Sequence, residues 1–262
     1  MSRSQARPAV RRFAVPIAFY LLLFAAWQFA GQATQAPGSV LVPPTVIVQT
    51  AIDRWQPLML VSGVTLLEAG LGFLIGASCA IVLAIVVDRF RLVGEALFRV
   101  ALVLYAIPVI AIAAPLTAWL GLGMGSKVAV AALACYFPVL VNLSGALRTL
   151  DPRIDELGRV LALGYWRRLW SLRAPAVLPA LFSSFKIAGP AAFIGALIAE
   201  WMGAEIGLGV LLLQAMFSFN VPLLWTVLLV ATVLNGLIVV LFEVVGRVAV
   251  PWHASAQRGQ EQ

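Results

Sequence analysis

Residues 147–179 read LRTLDPRIDELGRVLALGYWRRLWSLRAPAVLP, the longest stretch of the chain that is too charged to lie inside a bilayer. Six arginines and three acidic residues are spaced among apolar residues that recur at roughly helical intervals. Asp151-Pro152 is a favourable helix start, because aspartate caps a helix and proline fits its first position. Pro175 and Pro179 are expected to end the helical part. The stretch therefore predicts short amphipathic helices on a membrane surface, where a soluble partner can dock.

The composition identifies an integral membrane protein. Of the 262 residues, 62% are hydrophobic and 11% are charged, whereas a soluble domain has about 25% charged residues. The net charge of +7 would suit a nucleic-acid partner, but the arginines lie between apolar segments, as they do on the cytoplasmic loops of membrane proteins. We therefore expect membrane lipid and no nucleic acid as a partner. Cys79 and Cys135 lie far apart in apolar segments and are interpreted as packing residues.

Apolar segments of sufficient length predict an all-α protein with six transmembrane helices. They cover about residues 13–30, 58–87, 96–120, 128–147, 178–200 and 223–245. The first follows a basic segment, as in a signal peptide, but its length and its lack of a small-residue cleavage site favour a retained span. Pro108 and Pro115 are expected to bend the third span. Residues 201–222 are interrupted by glycine and proline, which favours a partly embedded, irregular segment.

Glycines in the second span predict close contact between helices. They are Gly63, Gly70, Gly72 and Gly76.

The positive charges predict the orientation. We divide the chain into an N-terminal tail (1–12), a transmembrane domain (13–246) with a loop at 147–178, and a C-terminal tail (247–262). Placing both termini and the loop in the cytoplasm puts almost all positive residues on that side, as the positive-inside rule requires. The inside residues are Arg3, Arg7, Arg11, Arg12, Arg89, Arg91, Arg99, the six loop arginines, Arg247 and Arg258, and the outside residues are Arg54 and Lys127.

The sequence lacks the motifs of a catalytic or metal site. The single histidine, His253, lies in the C-terminal tail, and no Gly-x-Ser-x-Gly, His-Glu-x-x-His or phosphate-binding loop is present. An intramembrane enzyme needs a paired nucleophile and base, so this class is disfavoured. If the protein moves a solute uphill, the energy must come from an ion gradient or from a partner.

Four ionisable residues lie within or near the predicted spans. Glu243 is one helical turn from Arg247, which predicts a local ion pair. Glu200 is near the outer end of its span, where solvation or capping costs little. Glu68 and Lys186 are deeper, and they either pair with each other or line a polar pathway. These residues keep an ion-coupled secondary transporter as an alternative, although no internal repeat supports it.

The loop resembles the EAA loop of ATP-binding-cassette importer permeases, whose pattern is Glu-Ala-Ala, a glycine six residues after the glutamate, and a later Leu-Pro. Glu156-Leu157-Gly158 replaces Glu-Ala-Ala, and Leu178-Pro179 matches the Leu-Pro position. Leu161 and Trp166 fall where close relatives carry Leu and Trp.

The glycine of this pattern is replaced. Ala162 occupies its position, and Gly164 follows two residues later. The bend of the loop is therefore expected either at Ala162 or at Gly164.

Further motifs are similar to the importer branch for sulfonates, taurine, nitrate and thiamine-precursor pyrimidines. They are TLLEAGLGFLIG at 65–76, the segment 105–108, FPVLVN at 137–142, AEWMGA at 199–204 and GLG at 207–209. Three segments resemble the pyrimidine-precursor members in particular, namely residues 185–189, 207–215 and 251–252.

This resemblance implies a type I importer permease fold in the bacterial inner membrane. It implies a second permease copy in a homodimer, a cytoplasmic ATPase dimer that binds ATP and magnesium, and a periplasmic or lipid-anchored binding protein. The docking residues that it implies in the loop are Asp151, Asp155, Glu156, Gly158, Arg159, Leu161, Ala162, Gly164 and Trp166. The candidates for the pathway are Glu68, Lys186 and Glu200.

Overall fold

The computed structural model of the protein describes residues 7–34 and 39–251, and all regular structure within them is helical. The α-helices, in chain order, are α1 (Arg7–Ala33), α2 (Pro44–Asp53), α3 (Trp55–Arg89), α4 (Arg91–Ala106), α5 (Val109–Leu120), α6 (Met124–Arg148), α7 (Pro152–Val160), α8 (Tyr165–Arg168), α9 (Ala174–Glu200), α10 (Leu208–Phe217) and α11 (Val221–Ala249). A π-helical turn, Leu169–Arg173, joins α8 to α9. The chain divides into two compact units, the first within residues 1–59 and 211–230, the second within 60–210 and 231–262.

Five helical segments are long and apolar enough to cross a bilayer, and they lie where five of the spans were predicted. They are residues Pro16–Ala33 of α1, helix α3, helix α6, the continuous segment Tyr165–Glu200, and helix α11. Helices α4 and α5 pass the same test only together, and they meet at 97°. Pro108 directly precedes α5 at this bend. Proline interrupts a helix there because it has no N–H to donate and its ring clashes with the preceding turn.

The contacts within the second unit show that α4 and α5 together make the sixth crossing. Asp88, at the end of α3, binds Arg173 just before α9, and Arg173 also binds the carbonyl of Leu147 near the end of α6. These helix ends therefore lie at one level. The start of α6 lies about 35 Å away at the other end, since the helix rises 1.5 Å per residue between Met124 and Leu147. The chain between α3 and α6 must cover this distance, and it does so in two pieces.

Small residues bring α3, α6 and α9 into close contact. A Cβ atom at Gly72 or Gly76 would overlap Ala131, Ala132 or Cys135 of α6. Gly195 of α9 faces Ala131 and Ala134 in the same way. Two of the four predicted glycines thus lie at a tight helix contact, whereas Gly63 and Gly70 have open space beside them.

Helix α1 is an integral part of the first unit. The rings of Trp27 and Trp225 lie 5.5 Å apart, and the Trp225 indole donates to the carbonyl of Val40 at 2.9 Å. The Gln28 side chain exchanges hydrogen bonds with Thr45 at the start of α2. Helix α1 thus packs against the other helices of this unit, and its retention as a span stays a prediction.

One expectation from proline needs correction. Pro175 and Pro179 do not end the amphipathic segment: Pro175 is the second residue of α9, directly after the π-helical turn, and Pro179 lies inside α9. The helical chain therefore runs from Tyr165 to Glu200, with no boundary at 178. In 201–222, the ten residues of α10 would span only about 15 Å, so this segment is not a full crossing, as predicted.

Some predicted features lie outside the described residues. They are residues 1–6 of the N-terminal tail and Trp252, His253 and Arg258 of the C-terminal tail.

Candidate functional site

The loop begins as its sequence predicts. The Asp151 carboxylate accepts a hydrogen bond from the backbone N–H of Arg153 at 2.9 Å, and Pro152 takes the first helical position of α7. Asp155 lies in the first turn, where a negative charge interacts well with the helix dipole. Asp151 thus shapes the loop by capping it.

The bend at the end of α7 passes through Ala162. This residue has φ +51°, in the left-handed region where glycine is usual. The N–H of Leu163 donates to the carbonyl of Gly158, and the N–H of Ala162 donates to that of Arg159, which is how a glycine-terminated helix ends. Gly164 is extended (φ −63°, ψ 162°), a conformation that needs no glycine. Of the two bends that the sequence allowed, the structure has the one at Ala162.

The Arg168 side chain covers Gly158 and leaves no room there for a larger residue. A Cβ atom there would lie 2.7 Å from Cδ of Arg168. The guanidinium of Arg168 then comes within 3.8 Å of the Asp155 carboxylate, which ties α7 to α8.

The surface of the loop combines exposed apolar side chains with charges. Leu157, Val160, Leu161 and Trp166 are 48%, 83%, 54% and 59% exposed. Glu156 and Arg159 are exposed between them. Apolar side chains rimmed by charges are typical of a protein interface. Of the expected docking residues, Glu156, Arg159, Leu161 and Trp166 are therefore exposed on the surface of the loop.

Arg173 fastens the loop to the ends of the spans. Its guanidinium forms two hydrogen bonds to the Asp88 carboxylate, at 2.7 and 2.9 Å, and one to the Leu147 carbonyl at 3.1 Å. The Tyr165 hydroxyl also donates to Asp88, at 3.0 Å. Sequence reasoning missed this cluster. No local spacing in the sequence links Asp88 to a residue 85 positions later.

A second buried network lies at the opposite end of the second unit. The Thr65 hydroxyl donates to the Glu200 carboxylate at 2.6 Å, and the same carboxylate accepts the N–H of Gly209. The N–H of Leu208 donates to the Thr65 oxygen at 2.9 Å. Any side chain at Gly207 would overlap the Glu200 carboxylate. Glu200 therefore caps α10 and fixes the turn that precedes it.

Glu68 and Lys127 belong to this outer network. Glu68, Lys127 and Glu200 are 3%, 1% and 1% exposed, and the Lys127 ammonium interacts electrostatically with both carboxylates. Lys127 also donates to the carbonyl of Leu122. It was expected in a turn outside the membrane, but it lies in the first turn of α6 and points inward. The capping role of Glu200 is as predicted, whereas its solvation is not.

Lys186 pairs with Glu243 of α11, and Glu243 also accepts from Arg247 at 3.0 Å. The predicted Glu243–Arg247 pair is thus present. The alternative pairing of Lys186 with Glu68 is wrong, because Lys186 pairs with Glu243 instead. The side chains of Lys186 and Glu243 remain 34% and 35% exposed.

The geometry describes a helical membrane protein with a loop that exposes apolar and charged side chains, and comparison with known proteins identifies its class. Residues 72–254 match the family described as binding-protein-dependent transport system inner membrane component, and the chain belongs to this family. It is therefore a multi-pass protein of the bacterial inner membrane and a pathway component of such a transport system.

Relatives and a solved structure agree with this family. The chain is 32% identical to a probable ABC transporter permease of Haemophilus influenzae, over 84% of this chain and 89% of that protein. It is 29% identical to the formylaminopyrimidine transport permease ThiX of Halalkalibacterium halodurans (90% and 95%) and 30% identical to the riboflavin permease RibX of Chloroflexus aurantiacus (90% and 88%). The inward-facing MetNI methionine ABC transporter has a similar fold, with a TM-score of 0.60 at 18% identity over 74% and 93% of the chains. The fold is thus that of type I ABC importer permeases.

Replacing Ala162 by glycine should stabilise the protein. The left-handed conformation costs alanine about 1 kcal/mol more than glycine, so the Ala162→Gly variant should melt at a higher temperature. Thermal unfolding of the purified protein measures this. The matched control is Gly164→Ala, which should be nearly neutral. A lower melting temperature for Ala162→Gly would contradict the assigned bend.

Removing the Thr65 hydroxyl should loosen the outer network. Thr65→Val leaves the N–H of Leu208 without its acceptor and removes one donor to Glu200, at roughly 1–3 kcal/mol for each stranded group. Thr65→Ser keeps the hydroxyl and should lose far less. Thermal unfolding of both variants provides the comparison, and equal losses would show that the methyl group, not the hydroxyl, matters.

Proposed function

We propose that this chain is the permease of an ATP-driven importer that carries a small organic solute, delivered by an extracytoplasmic binding protein. The observation that carries the proposal is the exposed apolar and charged face of α7 and α8, at the arginine-rich end of the second unit. Family membership favours this role over the ion-coupled secondary transporter that the sequence left open.

The docking partner is a cytoplasmic ATP-binding-cassette ATPase dimer. Its subunits bind ATP and magnesium, and this chain supplies no catalytic group. Glu156 and Arg159 form ion pairs with the ATPase, while Leu161 and Trp166 fill apolar depressions on it. One loop per chain supports a homodimer of the permease, because an ATPase dimer offers two equivalent docking faces.

Lys186 is the pathway candidate that the geometry favours. It lies near the middle of α9, and the side chains of the Lys186–Glu243 ion pair remain about one-third exposed although lipid solvates a polar group poorly. A water-filled pathway or a second permease copy must therefore cover this face. Glu68 and Glu200 are buried within their own network and support its structure instead.

The solute is a small nitrogen heterocycle of the thiamine-precursor pyrimidine type. The relatives named for formylaminopyrimidine and riboflavin support this class, because both solutes contain a nitrogen heterocycle. The other solutes implied by the sequence resemblance are sulfonate, taurine and nitrate.

Reversing the loop charges should abolish ATPase docking. In a Glu156→Lys, Arg159→Glu double variant, like charges face each other across the interface, and we expect co-purification of the ATPase to fall at least about tenfold. The permease itself should still insert and fold, because both side chains are exposed. Arg54→Glu, which lies outside the loop, is the control and should retain the ATPase. Unchanged co-purification of the double variant would place docking elsewhere.

The solute class is tested by uptake into proteoliposomes that contain the permease, its ATPase and its binding protein. An aminopyrimidine should be taken up, and excess taurine or nitrate should not compete. Competition by taurine or nitrate, with no uptake of the pyrimidine, would overturn the assignment of the solute but not that of the importer.

A further inference from the structure

We propose that the ion pair between Arg173 and Asp88 transmits the movement of the docking loop to the spans, and thereby sets how many solute molecules are moved per ATP hydrolysed. This proposal rests on the proposed function, since it requires an ATPase bound to the loop. It assigns to two residues outside the docking surface a positioning role in transport.

The pair is buried and geometrically specific. The side chains of Arg173 and Asp88 are 12% and 10% exposed, and the guanidinium and carboxylate face each other through two parallel hydrogen bonds. A bidentate pair of this kind fixes orientation as well as distance. Such a pair does not slide, so the two chain segments that it joins must move together.

Arg173 joins the loop to three spans. It precedes α9 directly, binds the end of α3 through Asp88, and binds α6 through the carbonyl of Leu147. On the loop side, its Nε lies 3.8 Å from the carboxylate of Asp155 in α7. Displacement of α7 therefore reaches three spans through one guanidinium.

Helix α8 is attached to the same point. The Tyr165 hydroxyl donates to the Asp88 carboxylate, and the guanidinium of Arg89 lies 5.1 Å from the centre of the Tyr165 ring. Asp88 thus accepts hydrogen bonds from both ends of the segment between residues 165 and 173. This segment cannot tilt as a unit without pulling on α3.

The π-helical turn at Leu169–Arg173 aims Arg173 at Asp88. One extra residue in the turn shifts the following side chains by about 100° around the helix axis. π-Helical turns of this type are frequent at functional sites. The turn lies directly between the docking surface and α9.

The simpler explanation for Arg173 is that it only marks the cytoplasmic side. Arg153, Arg159 and Arg167 serve that purpose while exposed to water. Orientation alone requires neither burial nor a bidentate partner on another span, so it does not explain Arg173.

The test compares Asp88→Asn with Asp88→Glu in the full complex, with ATP hydrolysis and solute uptake measured on the same proteoliposomes. Asparagine removes the charge at constant size, whereas glutamate keeps the carboxylate. We expect Asp88→Asn to retain the bound ATPase and its hydrolysis while uptake per ATP falls about tenfold, the range of a typical coupling energy. Asp88→Glu should recover most of the lost uptake.

Tyr165→Phe is the second variant, because it leaves the ion pair intact and should fold normally. It removes only the link from α8, so uptake per ATP should fall by a smaller factor, about two- to threefold. The proposal is wrong if uptake per ATP is unchanged in both variants, or if uptake and hydrolysis fall in parallel. Failure of the proposed function looks different, because the unmodified complex would then take up solute without ATP.

Discussion

A bilayer core offers no hydrogen-bond partner to a charged side chain, and this constraint orders the charged residues of the second unit. They are gathered at its two ends or paired within it. At one end Arg173 is neutralised by Asp88, and at the other the Lys127 ammonium interacts electrostatically with Glu68 and Glu200. Lys186 is paired with Glu243 between these levels. Because each charge needs a partner from another helix, the same pairs also hold the helices in register.

The two ends use this constraint in the same way. In each, a buried carboxylate on or beside a span binds the segment that leaves the span. Asp88 accepts hydrogen bonds from Tyr165 and Arg173 of the loop. The Glu200 carboxylate accepts the N–H of Gly209 directly. It is linked to the N–H of Leu208 through the Thr65 hydroxyl. An importer must respond to partners on both sides of the membrane, and these two carboxylates are where non-spanning segments are fixed to the spans.

Features that depend on local sequence were predictable. Hydropathy located the spans, because a run of 18 or more apolar residues is typical of a transmembrane helix. The Asp151-Pro152 pair located the start of α7. Pairings between distant segments were not predictable. Asp88 and Arg173 are 85 positions apart, and no pattern in the sequence links the two residues. The pairing of Lys186 with Glu243 was not among the alternatives, because depth along a span does not reveal which face a side chain occupies. The bend at Ala162 was left open because alanine adopts the left-handed conformation only when surrounding hydrogen bonds hold it there.

We propose that energy enters this protein through its docking loop and not through an ion gradient. The most direct measurement is solute uptake into proteoliposomes holding the complete complex, with ATP enclosed and all ion gradients collapsed, compared with the permease alone under an imposed proton gradient. The account predicts uptake in the first preparation and none in the second. Uptake by the permease alone, driven by the proton gradient, would contradict it.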